Sequence, residues 1–201
     1  MRKRVPAAAA ALAALAIAVG VTIWAVSSDG SPRAFRGSQP PVRIELPSFS
    51  LRDADGARVT SDELSGKAVL VTFLDTKCTE ACPIIGEQLR EGLTLLDEDE
   101  RADTVALAIS VHPGDDTPAA VRNFLRRHRL EGTLRYLVGS EAELRPVWRE
   151  FQVLPALDSG SSDIHSAPVR IYDRDGTWVS TLHAGADLTP ENLAHDVRTA
   201  G

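Results

Sequence analysis

Two consecutive stretches of sequence, Ala68–Leu74 (AVLVTFL) and Asp75–Pro83 (DTKCTEACP), decide the fold of this chain. The first is a continuous apolar run rich in β-branched residues, a pattern typical of a central strand that is buried on both faces. The second carries Cys78 and Cys82, and its proline fits the first turn of a helix, where a missing N–H is no loss. We therefore predict that the cysteine pair lies where a buried strand passes into a helix.

Strand and helix patterns alternate from this point to the end of the chain, and Asp173–Gly176 (DRDG) is a turn signal inside a terminal hairpin. This order of elements predicts an α/β fold with a central mixed sheet flanked by helices. Thioredoxin-like folds place their redox site at such a strand-to-helix junction. The predicted strands cover 47–51, 58–60, 68–74, 104–111, 134–138, 169–172 and 178–182, and the predicted helices cover 83–96, 117–128 and 140–151, with a last one from 189.

The N-terminus has a different composition from the rest of the chain. The basic residues of Met1–Arg4 precede an apolar run without charges from Val5 to about Val26. About 20 such residues, at a rise of about 1.5 Å each, cross a hydrocarbon core of about 30 Å, and the basic end stays cytoplasmic. We predict a transmembrane helix in 1–26 that places the remainder on the extracytoplasmic side of the cell membrane. The alternative is a signal peptide cleaved near Ala25–Ser27, and export follows from either interpretation.

The remaining 175 residues divide into a linker and one domain. The segment 27–41 is rich in Ser, Gly and Pro without a hydrophobic period, which predicts a flexible linker. The segment 42–201 is long enough for one sizeable core and is predicted to be a thioredoxin-like domain. A net charge of −6 argues against a nucleic-acid partner, because such a protein needs a basic face.

Cys78 and Cys82 are the only two cysteines in the chain. A disulfide across four residues closes so small a loop that it would add little stability, so we predict a chemical role. A helix N-terminus favours a thiolate, which can attack a disulfide or bind a metal ion. The spacing permits a disulfide, because residues four apart in a helix differ by about 6 Å, and it also suits a soft metal such as Cu(I). The spacing thus favours a metal site without excluding disulfide exchange.

A third metal ligand must come from elsewhere in the sequence, and His165 has the best position among the five histidines. It follows a polar loop and shortly precedes a predicted strand, in a segment that would pack beside the cysteine helix. The other interpretation is a loop histidine without a role. His112 follows the 104–111 strand and is either an auxiliary base or ligand, or a turn residue.

Three motifs together resemble the Sco/SenC family of copper chaperones. Val71–Pro83 resembles the family's strand leading into CxxxCP, Ile109–Pro118 (ISVHPGDDTP) resembles its second-strand motif, and Asp163–Ser166 (DIHS) resembles its histidine element. They occur in the family's order. The chain differs from the usual motifs in having His112 in place of an aspartate and Lys77 in place of a common histidine.

The resemblance implies a thioredoxin-like domain that binds a copper ion through Cys78, Cys82 and His165. It also implies delivery of copper to the binuclear centre of cytochrome c oxidase, so the expected partner is the copper-bearing oxidase subunit. Other copper chaperones or thiol–disulfide oxidoreductases are further expected partners. Some members of the family resemble reductases in activity, which gives the alternative function of a membrane-anchored thiol–disulfide oxidoreductase that reduces target cysteines through the same two residues.

Overall fold

A computed structural model describes residues 34–155, 158 and 167–201 of the chain. The predicted membrane anchor, 1–26, lies outside these residues. Within the described part of the chain, no helix combines the length and the apolar character that a membrane span requires.

The described residues form seven strands, five α-helices and one short 3₁₀ turn. Their order agrees with the predicted alternation of strands and helices. The strands are β1 Ser50–Asp53, β2 Arg58–Thr60, β3 Ala68–Leu74, β4 Thr104–Ser110, β5 Arg135–Val138, β6 Val169–Tyr172 and β7 Trp178–Leu182. The helices are α1 Ala81–Thr94, α2 Glu98–Ala102, α3 Pro118–Arg127, α4 Glu141–Glu150 and α5 Pro190–Ala200, and the 3₁₀ turn is Asp62–Leu64.

All seven strands belong to one mixed sheet in the order β2-β1-β5-β4-β3-β6-β7. β3 lies parallel to β4, and β4 lies parallel to β5, while the remaining neighbours are antiparallel. The predicted α/β fold with a central mixed sheet is therefore confirmed. Every residue of β3 is buried, as the continuous apolar run Ala68–Leu74 indicates.

Each face of the sheet has its own apolar core because side chains alternate along each strand. On one face, Leu70 and Leu74 pack in a cluster with residues of α1, α3 and α5. On the other face, Val71 and Phe73 belong to a second cluster with Trp148 of α4. Helices on both faces explain why β3 carries no polar face toward solvent.

The start of α1 and the presence of α2 differ from the prediction, each for an identifiable reason. α1 begins at Ala81 rather than at Pro83, so Cys82 is already helical. The N–H groups of a first turn have no partner within the helix, and a proline is therefore tolerated anywhere in that turn. α2 was not predicted, because this five-residue helix buries none of its side chains and so has no hydrophobic period; an Asp97–Glu100 capping box begins it.

Part of the predicted linker 27–41 contacts the edge of the domain. The backbone of Ser38 pairs with Thr181 of β7 through hydrogen bonds of 3.0 and 2.8 Å. The N–H groups of Arg36 and Gly37 donate to the carboxylate of Asp196 in α5 at 2.8 and 2.9 Å. The boundary between linker and domain at 41/42 remains a prediction, but residues 36–38 are held by hydrogen bonds at the β7 edge.

Candidate metal centre

Cys78 and Cys82 lie together where β3 ends and α1 begins. Cys78 belongs to the connection between the two elements, and Cys82 is the second residue of the helix. Both side chains are buried, with 4% and 0% of their surface exposed. The N–H of Cys82 donates to Cys78 Sγ at 3.2 Å, and both residues are thiols rather than a disulfide. The structure thus brings the predicted pair together at the predicted junction.

Two aspartates hold the backbone that leads into Cys78. The N–H of Thr76 donates to Asp116 Oδ1 at 2.8 Å, and the N–H of Lys77 donates to Asp75 Oδ1 at 2.8 Å. The N–H of Cys78 itself donates to the carbonyl oxygen of Asp75 at 3.2 Å. Three successive N–H groups before the helix are therefore bound to oxygen, and the N–H of Cys82 is directed at sulfur.

The helix start does not favour a thiolate at both cysteines. The pKa of the Cys82 thiol is raised far above its ordinary value, first by a hydrogen bond with the Cys78 side chain and then by burial, and the charge of Asp75 adds to the rise. The N–H donated to Cys78 Sγ favours negative charge on that sulfur instead. The expectation of an activated thiolate is therefore wrong for Cys82.

A group of charged side chains lies beside the pair at the end of β4. His112 Nδ1 is 2.6 Å from Asp115 Oδ2 and 3.8 Å from Asp75 Oδ2. Lys77 Nζ is 2.5 Å from Asp115 Oδ1, and this hydrogen bond is the main reason that the pKa of the Asp115 carboxyl is lowered. Because Lys77 forms an ion pair with Asp115, its positive charge is offset by that carboxylate. His112 therefore belongs to the surroundings of the site as a neighbour of Asp75.

Asp116 lies deeper, behind the cysteine loop. Its Oδ2 accepts hydrogen bonds from the hydroxyls of Ser110 at 2.6 Å and Tyr136 at 2.9 Å. The indole N–H of Trp148 donates to the carbonyl oxygen of Ser110 at 2.8 Å and extends this network to α4. Burial raises the pKa of the Asp116 carboxyl, and burial followed by the charge of Asp116 raises the pKa of Tyr136 well above its ordinary value.

The proposed third ligand, His165, lies outside the described residues. Among the residues that are described, no group of three His, Cys, Asp or Glu side chains is arranged to hold a metal ion. His128 packs on the Phe124 ring at the end of α3, with ring centroids 4.6 Å apart. His195 Nδ1 lies 2.9 Å from its neighbour Asp196 on α5. The assignment of His165 thus remains a prediction, while these two histidines have local contacts of their own.

Sequence reasoning missed the contribution of Asp116 to the site. Asp116 is part of the motif Ile109–Pro118, but its contact with Thr76 joins positions that are 40 residues apart in the sequence. The available signal was its place in the connection that follows β4, because β3 and β4 are parallel and their carboxyl ends meet at one edge of the sheet.

The fold and the site together define a thioredoxin-like α/β domain with a buried pair of thiols at the junction of β3 and α1. The model of the SCO1/SenC family matches residues 38–200, which is nearly all of this domain. The chain therefore belongs to the SCO1/SenC family.

Individual relatives agree with this assignment over most of their length. The SCO2-like protein RC0895 of Rickettsia conorii is 26% identical over 156 residues, which cover 75% of this chain and 74% of the relative. The structure of Bradyrhizobium japonicum ScoI with copper bound is 31% identical, covers 79% of this chain and 100% of that chain, and has a TM-score of 0.62. The structure of BsSco, a member of the Sco family of cytochrome c oxidase assembly proteins in which a disulfide switch was identified, is 22% identical, covers 81% of this chain and 96% of that chain, and has a TM-score of 0.67. At that identity the last comparison shows the fold alone.

Proposed function

We propose that this protein is a copper metallochaperone that binds copper through Cys78, Cys82 and His165 and assists assembly of the binuclear copper centre of cytochrome c oxidase. The observation that carries the proposal is the buried thiol pair, with the Cys82 N–H at 3.2 Å from Cys78 Sγ. Family membership supports the same kind of cargo, since a 31% identical relative was solved with copper bound. The oxidase partner is proposed because the family's motifs imply it and the chain belongs to the SCO1/SenC family.

Access to the sulfur atoms favours a small cation as the cargo. Cys78 is 4% exposed and Cys82 is fully buried. Exchange with a target disulfide requires that a protein sulfur approach the attacking thiolate, and its rate depends on access. A copper ion needs only the ligand atoms themselves. The burial of the pair therefore supports metal transfer over disulfide exchange as the main activity.

The local charge favours the same choice. Asp75 is fully buried, its Oδ2 has no hydrogen-bond partner among the described residues, and its charge raises the pKa of Cys82. A second thiolate beside this carboxylate is unfavourable until a cation offsets the negative charge. Copper displaces the thiol protons as it binds, and Cu(I) suits two soft thiolates. The negative surroundings of Cys82 thus favour the binding of a cation.

His165 is the proposed third ligand because a pair of thiolates leaves a copper ion open to solvent or to a partner. An imidazole completes a mixed sulfur and nitrogen set that is common for copper. A single neutral nitrogen also keeps the net charge of the loaded site lower than a third thiolate would.

Copper titration of the full-length chain tests this ligand set. We expect stoichiometric Cu(I) binding in competition with a chromophoric chelator, and its loss in Cys78→Ser and in Cys82→Ser. His165→Ala should weaken binding by at least about 100-fold, because loss of even an outer partner of a ligand costs about 10–100-fold. His183→Ala is the matched control, since this histidine is exposed and lies 3.9 Å from Asp187 after β7.

The alternative function is a thiol–disulfide oxidoreductase that reduces target cysteines. The closeness of the two residues favours it, because the Cys82 N–H lies 3.2 Å from Cys78 Sγ and a spacing of four residues is within the Cα range of a disulfide. The two functions separate in one set of variants. If His165→Ala keeps full copper affinity while either Cys→Ser change abolishes disulfide reduction, the chaperone proposal is wrong and the reductase is correct.

The proposal also includes a location and a partner. The run 1–26 anchors the chain by a single pass, with the domain on the extracytoplasmic side, where it meets the copper-bearing oxidase subunit. Membrane fractionation, with the N-terminus of the recovered protein identified by mass, tests the anchor. Recovery in the soluble extracytoplasmic fraction with a new N-terminus near 27 would replace the anchor by a cleaved signal peptide. Transfer from the copper-loaded chain to the apo subunit, followed by the copper spectrum, tests the partner.

A further inference from the structure

We propose that Asp116 is a positioning residue for the copper site: it holds the loop before Cys78 in the conformation in which both sulfur atoms can bind one copper ion. The inference rests on the proposed copper function and deepens it. Asp116 contacts neither sulfur in this role and acts through the backbone at Thr76.

The contacts of Asp116 join the cysteine loop to the centre of the sheet. Oδ1 accepts the N–H of Thr76, two residues before Cys78, at 2.8 Å. Oδ2 accepts the hydroxyls of Ser110, the last residue of β4, and Tyr136 of β5. Both oxygens are thus used, and one carboxylate links the loop to two neighbouring strands.

The cysteine loop depends on such contacts because it has no regular structure of its own. Residues 75–80 form neither helix nor strand, and Asp75 binds the N–H groups of Lys77 and Cys78 only from within the loop. Asp116 adds a buried contact from outside the loop, across 40 residues of sequence, beside the more exposed ion pair of Lys77 with Asp115. Without it, the loop keeps its local turn but loses its connection to β4 and β5 at Thr76.

The charge of Asp116 is an unusual choice for a purely structural link. The side chain is 2% exposed and takes part in no ion pair among the described residues. A buried carboxylate held only by neutral donors is less favourable for folding than a neutral residue with the same hydrogen bonds. A carboxylate is, however, a stronger acceptor than an amide and fixes its donors more tightly. We infer that this acceptor strength is used to place Thr76, and through it Cys78.

A matched pair of variants of the full-length chain tests the inference. Asp116→Asn keeps an oxygen for the Thr76 N–H, and the hydroxyls of Ser110 and Tyr136 can turn to accept from the new NH₂. Asp196→Asn is the control, because Asp196 is also fully buried, accepts backbone N–H groups and accepts the Ser180 hydroxyl at 2.6 Å, but on the β7 side of the sheet. Both are measured for Cu(I) affinity and for urea unfolding.

The expected result is a split between the two measurements. Asp116→Asn should weaken Cu(I) binding by about tenfold or more, the size typical for the loss of an outer partner of a metal ligand. Asp196→Asn should leave the affinity unchanged whatever it does to unfolding. Equal loss of affinity in both variants, or loss in neither, would overturn the role of Asp116.

Further measurements cover the remaining outcomes. Should Asp116→Asn fail to fold, Tyr136→Phe keeps the carboxylate, removes one of its donors and should weaken copper binding in the same direction; an unchanged affinity would again count against the inference. Should the wild-type chain bind no copper, the proposed function fails, and positioning is measured by the alkylation rate of Cys78. That rate should change in Asp116→Asn but not in Asp196→Asn, and an unchanged rate in both would refute positioning as well.

Discussion

Asp116 and Asp196 are two buried carboxylates with similar hydrogen bonds at different strands of the same sheet, although Asp196 also lies 2.9 Å from His195 Nδ1. Each accepts a backbone N–H from a segment far away in sequence, across 40 residues for Asp116 and 160 for Asp196. Each also accepts a serine hydroxyl at 2.6 Å. The difference lies in what is held: the loop before Cys78 in one case, and the segment at 36–38 in the other.

The region around Asp196 has a steric constraint at Gly37 that the region around Asp116 lacks. A Cβ atom at Gly37 would lie 2.2 Å from Ser180 Oγ and 2.5 Å from the carbonyl oxygen of Thr181. Only glycine therefore fits between the Asp196 carboxylate and β7. At the cysteine edge, Gly114 has an open surrounding, with no atom within 4 Å of such a Cβ.

A buried carboxylate serves a different purpose in each of the two regions. A buried carboxylate can accept backbone N–H groups from distant segments whatever side chains those residues have. At the β7 edge such a carboxylate attaches the chain that leads toward the predicted membrane anchor. At the carboxyl end of β3 it shapes the cysteine loop, so a change there should alter copper binding as well as stability.

The largest effect on stability is expected for Gly37→Ala. The added methyl group must displace residues 36–38 from β7, and overpacking of this kind costs about 1–3 kcal/mol of unfolding free energy. Urea unfolding measures the loss, and trypsin should cleave after Arg36 more rapidly than in the wild-type chain. Copper affinity should not change, because Gly37 packs against β7 and Asp196 rather than against the cysteine loop.

Gly114→Ala is the matched control for this substitution. Its Cβ meets no neighbour and its backbone is outside the left-handed region, so the change should stay within about 0.5 kcal/mol. If Gly37→Ala were equally harmless, the close packing of residues 36–38 on β7 would be wrong. If it reduced copper affinity, the two regions could not be treated as independent.

Removing one hydroxyl donor to each carboxylate should have a smaller effect on stability and tests both sites in the same way. Tyr136→Phe and Ser180→Ala each delete one buried hydrogen bond, of 2.9 and 2.6 Å, at a cost of about 1 kcal/mol. Unfolding should therefore change by similar amounts. Only Tyr136→Phe should weaken Cu(I) binding, and a drop in affinity with Ser180→Ala would remove the distinction between the two sites.

Local patterns in the sequence were sufficient for the fold and for the cysteine pair. The apolar run at Ala68–Leu74 predicted a strand buried on both faces, and spacing placed Cys78 and Cys82 at the following junction. These features follow from residues that are neighbours in sequence. The same reasoning could not detect α2 at Glu98–Ala102, because a short helix that buries no side chain leaves no periodic signal.

The supports of the site were beyond sequence reasoning for a different physical reason. The contact of Asp116 with Thr76 and that of Asp196 with Arg36 depend on how strands and helices pack, and no local pattern specifies them. The protonation of Cys82 likewise depends on burial and on the neighbouring Asp75. The location of the cysteines was therefore predictable, while their electrostatic surroundings required the structure.

The smallest expected effect is a pH dependence that separates Asp116 from an ordinary surface carboxylate. Burial raises the pKa of Asp116 above its ordinary value of 3.8, so the folded state favours the protonated form. The resulting stabilisation is complete below 3.8 and is lost as the pH rises through the folded-state pKa. The unfolding free energy of the wild type, minus that of Asp116→Asn, should therefore decrease with rising pH above 3.8 and then level off.

Asp103 gives the opposite sign and serves as the control for this measurement. A hydrogen bond from Lys67 lowers the pKa of this exposed carboxyl, so its small contribution is present above 3.8 and is lost as the pH falls. Urea unfolding of wild type, Asp116→Asn and Asp103→Asn across the acidic range provides both differences, in which the remaining groups cancel. A difference for Asp116 that increases with pH would mean that its hydrogen bonds outweigh burial. The carboxylate would then stabilise the fold by itself, and its charge could no longer serve as an argument for positioning Cys78.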